Sequence, residues 1–405
     1  MLRGAPGRPR TAPARPRVQS RPVWALDPAV VFLNHGSFGA CPVPVLERQQ
    51  RLREELEREP VRFLSRELER RLDEARAALG SFVGADPDDL AFVPNATTGV
   101  NTVLHSLRFQ AGDELLTTDH AYNACRNALA RTAERWGARL VTAAVPFPLA
   151  DPGDVERAVL AAVTPATRLA LLDHVTSPTG LVFPLERLVP ALGARGVDTL
   201  VDGAHAPGMV PLDLTRLGAA YYAGNGHKWL CAPKGAAFLH VRRDRQARVR
   251  PLVTSHGASS PRTDRSRFRL EFDWTGTQEP TAWLALPEAL AVLGGLLPGG
   301  WPALMARNHA LALEARALLC EALAVPLPCP GSMIGALASV PLPDAPRPQP
   351  PARDALQDAL FQRFAIEAPV LAWPAPPRRL LRVSCQIYNE RSHYERLAQA
   401  LAQLL

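Results

Sequence analysis

The chain has 405 residues, 47% hydrophobic and 21% charged, the balance of a globular protein large enough for more than one core. No run of about 18 apolar residues occurs, so no membrane-spanning helix is expected. The formal charge is +7, but six arginines and no acid fall within residues 1–22, so the rest is nearly neutral and a nucleic-acid partner is not needed to explain the charge.

Residues 1–22 are rich in Pro and Arg, lack the apolar stretch of a secretory signal, and predict a disordered basic arm. The six cysteines are scattered without a C-x-x-C, which fits reduced thiols in a cytoplasmic protein and neither a zinc site nor a disulfide framework. From Trp24 to Gly39 an apolar strand-like run turns at Gly36, giving the motif L-N-H-G-S-F-G. Pro44 to Leu79 reads as two charged amphipathic helices interrupted near Pro60. Leu90 to Val93 is a short strand, and N-A-T-T-G-V-N (Asn95 to Asn101) then opens a helix toward Leu107. Its free N–H groups and dipole make an anion site, with Ala96 (through its backbone) and Thr97 as the contacts.

Asp113 to Thr118 is the next strand, followed by D-H-A-Y-N-A (Asp119 to Ala124). Arg139 to Val145, Leu169 to Asp173 and Thr199 to Val201 alternate with helical stretches at Asp154 to Ala162 and Pro184 to Ala194. That rhythm predicts an α/β fold, a mostly parallel sheet with helices on both faces. T-S-P-T-G (Thr176 to Gly180) sits at a strand end, where Ser177 can meet a ligand. The strand Thr199 to Val201 delivers Asp202 at its C-terminal end, the place where open α/β sheets bind ligands, and His205 follows.

Lys228 lies in A-G-N-G-H-K-W (Ala223 to Trp229) and is one of only two lysines among 46 basic residues, the other being Lys234. Arg stays protonated, whereas a Lys amine can lose its proton and attack a carbonyl, so a lysine kept in so Arg-rich a chain suggests an imine with an aldehyde cofactor. An Asp can hold a pyridinium nitrogen protonated, and Asp202 about 26 residues before Lys228, with His205 between them, describes a pyridoxal phosphate (PLP) site. Lys234 reads as a surface or backbone-tuning residue. Pro251 to Phe272 is Arg-rich and reads as a loop, Thr281 to Leu297 as one long helix, and Pro341 to Pro351 as a Pro-rich surface loop.

With W-T-G-T (Trp274 to Thr277) and R-V-S-C-Q-I-Y-N (Arg382 to Asn389), these motifs resemble those of the class V aminotransferase family of PLP enzymes. The L-N-H-G-S-F-G start points to its isopenicillin N epimerase-like branch. The resemblance implies the aspartate aminotransferase-like fold type I: a large domain with a seven-stranded sheet over residues 23–285, and a smaller α+β domain over 286–405. It also implies a homodimer with shared sites, in which Thr277 reaches the phosphate of the neighbouring subunit. It places Tyr122 (with His120 as the alternative) over the cofactor ring, Asn225 and His227 on the phosphate, and Asn34 and His35 near an amino-acid-type substrate. Arg382 matches the arginine that grips the substrate α-carboxylate.

The chemistry so implied starts with removal of the α-proton by Lys228. Return on the other face is epimerisation, with Tyr122 or His35 as the second acid; transamination and carbon–sulfur lysis are the alternatives. A cysteine desulfurase needs a thiol shortly before the Arg382 strand, and that segment contains none. A non-catalytic binding module is the reading from another class, opposed by the intact Lys228, Asp202, His205 and Arg382.

Overall fold

The computed structural model describes residues 23–345 and 354–405. The expected basic arm and most of the Pro-rich stretch after Ala345 lie outside the described residues. The described residues form twelve strands: β1 (Val31–Phe32), β2 (Leu90–Val93), β3 (Glu114–Thr118), β4 (Arg139–Ala143), β5 (Thr167–Asp173), β6 (Asp198–Gly203), β7 (Tyr221–Asn225), β8 (Ala237–Val241), β9 (Leu337–Leu342), β10 (Ile366–Glu367), β11 (Val370–Ala372) and β12 (Arg379–Ser384).

Seven of them form one sheet in the order β2-β8-β7-β6-β5-β3-β4. From β7 through β4 the pairing is parallel, and β8 runs antiparallel to both β7 and β2. This is the mostly parallel sheet expected. Its central strands are near-continuous apolar runs because both faces are covered. Along β5, Leu169 and Leu171 enter one core while Ala170 and Leu172 enter the other. Tyr221 and Ala223 of β7 likewise part from Tyr222. The first core is closed by the helices Ala96–Ser106 and Asn123–Trp136 through Val100, Val103 and Leu129. The second is closed by Pro152–Ala161 and Leu185–Gly193 through Val155, Val159, Leu188 and Leu192.

A smaller antiparallel sheet, β11-β12-β9, carries the C-terminal motif. β1 pairs in parallel with β10, Val31 opposite Ile366, so the N-terminal segment is stitched to the C-terminal region.

Three expectations need correction. The stretch expected as a loop contains the helix Arg267–Phe272, capped by the Ser266 side chain. Phe268 and Phe272, four apart, bury one face of it, and Arg269 on the same helix pairs with Asp73, Asp88 and Asp273. The expected long helix is two pieces, Thr281–Leu284 and Leu286–Gly294. The break falls at Ala285, because Pro287 has no N–H to continue the ladder. The longest helix, Gly300–Ala322, comes after it. Finally, Pro341 lies within β9 opposite Leu380, not in a loop. β9 is an edge strand, where proline is tolerated.

Candidate active site

The site forms where β5, β6 and β7 end. β5 and β6 pair in register with Asp173 opposite Asp202, so two buried carboxylates stand side by side at the carboxyl edge. Asp202 Oδ1 accepts the Ala204 amide at 3.0 Å, and Oδ2 accepts the Cys125 thiol at 3.0 Å. Burial, then the charge of Asp202, pushes the Asp173 carboxyl well above the usual range. Asp173 also accepts the Tyr122 amide at 3.4 Å and so ties the Tyr122 turn to the sheet.

Lys228 follows β7, and its Nζ lies 3.1 Å from His205 Nε2. The Trp229 indole donates to His205 Nδ1 at 3.4 Å, which assigns the ring proton to Nε2. That Nε2–H donates to the lysine lone pair when the amine is deprotonated. Burial brings its pKa down to about 8, opposed by Asp202 and assisted by Arg382. Burial, then Lys228 and Arg382, keeps His205 neutral by moving its pKa well below the usual imidazole value. The free Lys228 amine is lost as pH falls below its pKa. Condensation of the cofactor-free protein with an aldehyde should therefore slow about tenfold per pH unit below about 8 and level off above it, as stopped-flow absorbance would record.

The helix Ala96–Ser106 points its N-terminus into the same cavity, with Asn95 capping the Thr98 amide at 2.8 Å. The Ala96 amide, expected to bind an anion, donates instead to Asn225 Oδ1 at 2.8 Å. Asn95, Ala96 and Thr97 all line the cavity at this helix end. His227 lines it too, and its Nδ1–H donates to the Ala236 carbonyl at 3.0 Å. Burial lowers the His227 pKa to about 4. With Nδ1–H committed, His227 can donate to an anion through Nε2 only as its cation, a state that a bound dianion would itself favour.

Arg382 of β12 is 4% exposed. Its Nη1 donates to the Ser177 carbonyl at 2.7 Å and hydroxyl at 3.1 Å, and Nη2 to the Ser37 hydroxyl at 3.1 Å. Its Nε has no partner, and no carboxylate among the described residues pairs with it. Burial lowers its pKa to about 10. A buried guanidinium held only by neutral oxygens keeps a charge that an anion would stabilise. Tyr122 is 45% exposed and lines the cavity mouth with Phe38.

The structure thus brings together Lys228, Asp202, His205, Asn225, His227, Thr97, Ser177 and Tyr122 as cavity-lining residues, with Arg382 behind Ser177. Others fall elsewhere. His120, the alternative to Tyr122, is buried, bonded to Thr179 and the Val145 carbonyl, and caged by Phe147, Phe183 and Trp373. Asn34 binds Glu367 and Ser37 outside the cavity. His35 is buried with both ring nitrogens engaged, by Tyr388 and the Lys228 carbonyl, and does not line the cavity. Its place corrects the expectation of a substrate contact or second acid. Thr277 is exposed and outside this chain's cavity. Lys234 donates to the Gly39 carbonyl at 2.6 Å, as a backbone tie.

Sequence reasoning passed over Ser37, Phe38, Asp173 and Cys125. The first two stood inside the L-N-H-G-S-F-G motif, and Asp173 ended a recognised strand. Nothing along the chain marked Cys125, which meets Asp202 only through the packing of its helix on the sheet.

The sequence model of the "Aminotransferase class-V" family matches residues 40–322. Isopenicillin N epimerase of Streptomyces clavuligerus is 39% identical over 95% of this chain and 97% of its own. Putative L-cysteine desulfhydrase 2 of Oryza sativa subsp. japonica is 31% identical over 94% and 85% respectively. Among solved structures, a variant of C-DES with glycine covalently linked to its PLP cofactor superposes with a TM-score of 0.75, covering 92% of this chain and 96% of that one at 24% identity.

Proposed function

The chain belongs to the class V aminotransferase family and is a PLP-dependent enzyme, and from that premise we propose that it inverts the α-carbon of an amino acid or amino-acid-derived substrate. The residues fit the cofactor. Lys228 offers an amine whose pKa is brought down to about 8, Asp202 a carboxylate at the strand end, and Thr97, Asn225 and His227 line the anion-binding end of the same cavity. When bound, PLP supplies an aldehyde that condenses with amines and a ring that takes up the electron pair left when an α-proton departs.

The chain's own residues do the rest. Lys228 anchors the cofactor and, once released, is the base that removes the α-proton. Asp202, its charge spread over the Cys125 and Ala204 donors, would keep the ring nitrogen of the bound cofactor protonated. Arg382, steadied by Ser37 and Ser177, grips the substrate carboxylate with two parallel donors. Tyr122, at the mouth, is the acid that returns a proton to the opposite face. A homodimer in which Thr277 of a second copy completes the phosphate end belongs to the same reading.

The observation that carries it is the buried, acid-free Arg382 close enough to Lys228 and His205 to depress both. That is a carboxylate socket beside an amine base. All six cysteines are buried and none lines the cavity, leaving no thiol to take up a substrate sulfur as a persulfide. Carbon–sulfur lysis without such a thiol is the second reading, favoured by the likeness to the rice desulfhydrase.

The test is incubation of the PLP-loaded protein with L-amino acids and peptidyl amino acids in heavy water, following chirality, α-deuterium and oxo-acid together. Inverted, deuterated product without oxo acid is expected. Pyruvate or sulfide release would replace epimerisation by lysis.

A further inference from the structure

We propose that His35 is a positioning residue for Lys228: Tyr388, His35 and the Lys228 carbonyl form a hydrogen-bonded chain that fixes the turn presenting the amine. The inference rests on Lys228 being the cofactor-binding amine.

The polarity of the chain follows from its ends. A backbone carbonyl can only accept, so His35 Nε2, 3.0 Å from the Lys228 oxygen, carries the ring proton. Nδ1 must then accept, and the Tyr388 hydroxyl donates to it at 2.7 Å, with the Ala40 amide at 3.3 Å. Burial holds the imidazole neutral, with a pKa of about 3, and the charges of Lys234 and Lys228 act in the same sense. The proton on Nε2 also means that Gln386 Nε2, 3.4 Å away, is a neighbour and not a donor to it.

The turn needs such support. The Lys228 carbonyl also receives the Cys231 amide at 3.0 Å, and Cys231 adopts φ +57°, a left-handed conformation that costs a residue with a Cβ. A strained backbone of this kind persists only where its surroundings over-determine it. Here His35 bonds the carbonyl, and its ring packs on Trp229 with centroids 4.9 Å apart. Gly39 lies against the same backbone: a Cβ there would stand 2.3 Å from the His227 carbonyl oxygen and 2.9 Å from that of Lys228. Tyr388, from the C-terminal region, closes the chain from behind. Neither His35 nor Tyr388 lines the cavity, so their influence passes through the lysine.

The experiment compares wild-type protein, His35→Ala, His35→Gln and Tyr388→Phe, each freed of cofactor. Three quantities are read: the growth of visible absorbance as added PLP condenses with Lys228 and releases water, the split between kcat and KM for α-proton exchange, and Tm. His35→Ala should slow condensation and lower kcat by about tenfold or more, with KM little changed, as expected for a misaimed reacting group. Gln, whose side-chain N–H can reach the carbonyl, should recover most of the loss; Tyr388→Phe should slow condensation several-fold. The idea is overturned if His35→Ala condenses at the wild-type rate, or if Gln restores nothing while both variants are folded. Should His35→Ala fail to fold, Tyr388→Phe decides, and a wild-type rate there overturns it. Failure of the underlying reading looks different: wild-type protein itself would gain no absorbance with PLP, or Lys228→Ala would keep it.

Discussion

Replacing Lys228 with alanine should abolish α-proton exchange, a loss of at least about 10⁴-fold, the upper range for removing a positioned acid–base group. In the proposed mechanism two roles vanish together, the covalent hold on the cofactor and the base. Among the described residues no other amine lines the cavity, and the remaining lysine, Lys234, is bonded to the Gly39 carbonyl at 2.6 Å and cannot replace it. The measurement is loss of α-hydrogen to heavy water by mass spectrometry, with the bound-cofactor absorbance recorded on the same sample. The variant should fold, because the side chain makes one hydrogen bond, to His205. Exchange surviving within about 10² of wild type would move the base role to another residue.

Tyr122→Phe should separate inversion from exchange. It removes one oxygen from a half-exposed side chain and leaves the amide that bonds Asp173 in place. Inversion should fall by about 10²–10⁴-fold, while exchange on the Lys228 face continues near the wild-type rate. The quantity to follow is the ratio of deuterium gained with retention to that gained with inversion. A ratio unchanged in Tyr122→Phe would remove the tyrosine from the mechanism. His35 offers no substitute, since its ring is buried behind the lysine with both nitrogens engaged.

The parts of the site legible in the sequence were those that sit where a strand ends or a helix begins. Asp202 is next to last in β6, Asn225 closes β7, and Thr97 lies in the first turn of the helix after β2. There a short apolar run, a glycine and a polar residue are one local signal. Contacts made across the fold were not legible. Cys125 reaches Asp202 from a helix 77 residues earlier, and no periodicity encodes that approach. His35 stood out because it lies in a distinctive motif, but the motif does not say which way the ring faces. Composition misled at Arg267–Phe272, where arginines suggested a solvated loop. They instead serve a network of acids that a linear reading cannot see, Arg269 bonding to Asp73, Asp88 and Asp273. Pro341 misled in the same way, since an edge strand leaves one side of its backbone unpaired.

The pairing of β1 with β10 bears on the order of events at the ribosome. Lys228 and the carboxyl edge that carries it are translated well before Arg382, but Ser37, which steadies Arg382, lies 345 residues upstream of it. At roughly 5–20 residues per second, Ser37 waits roughly 17–70 s for its partner to be synthesised. A nascent chain therefore carries Lys228 and Asp202 before Arg382 can meet Ser37. The Arg382 end of the site closes only when these distant segments meet, and that late closure has the large loop to bring together.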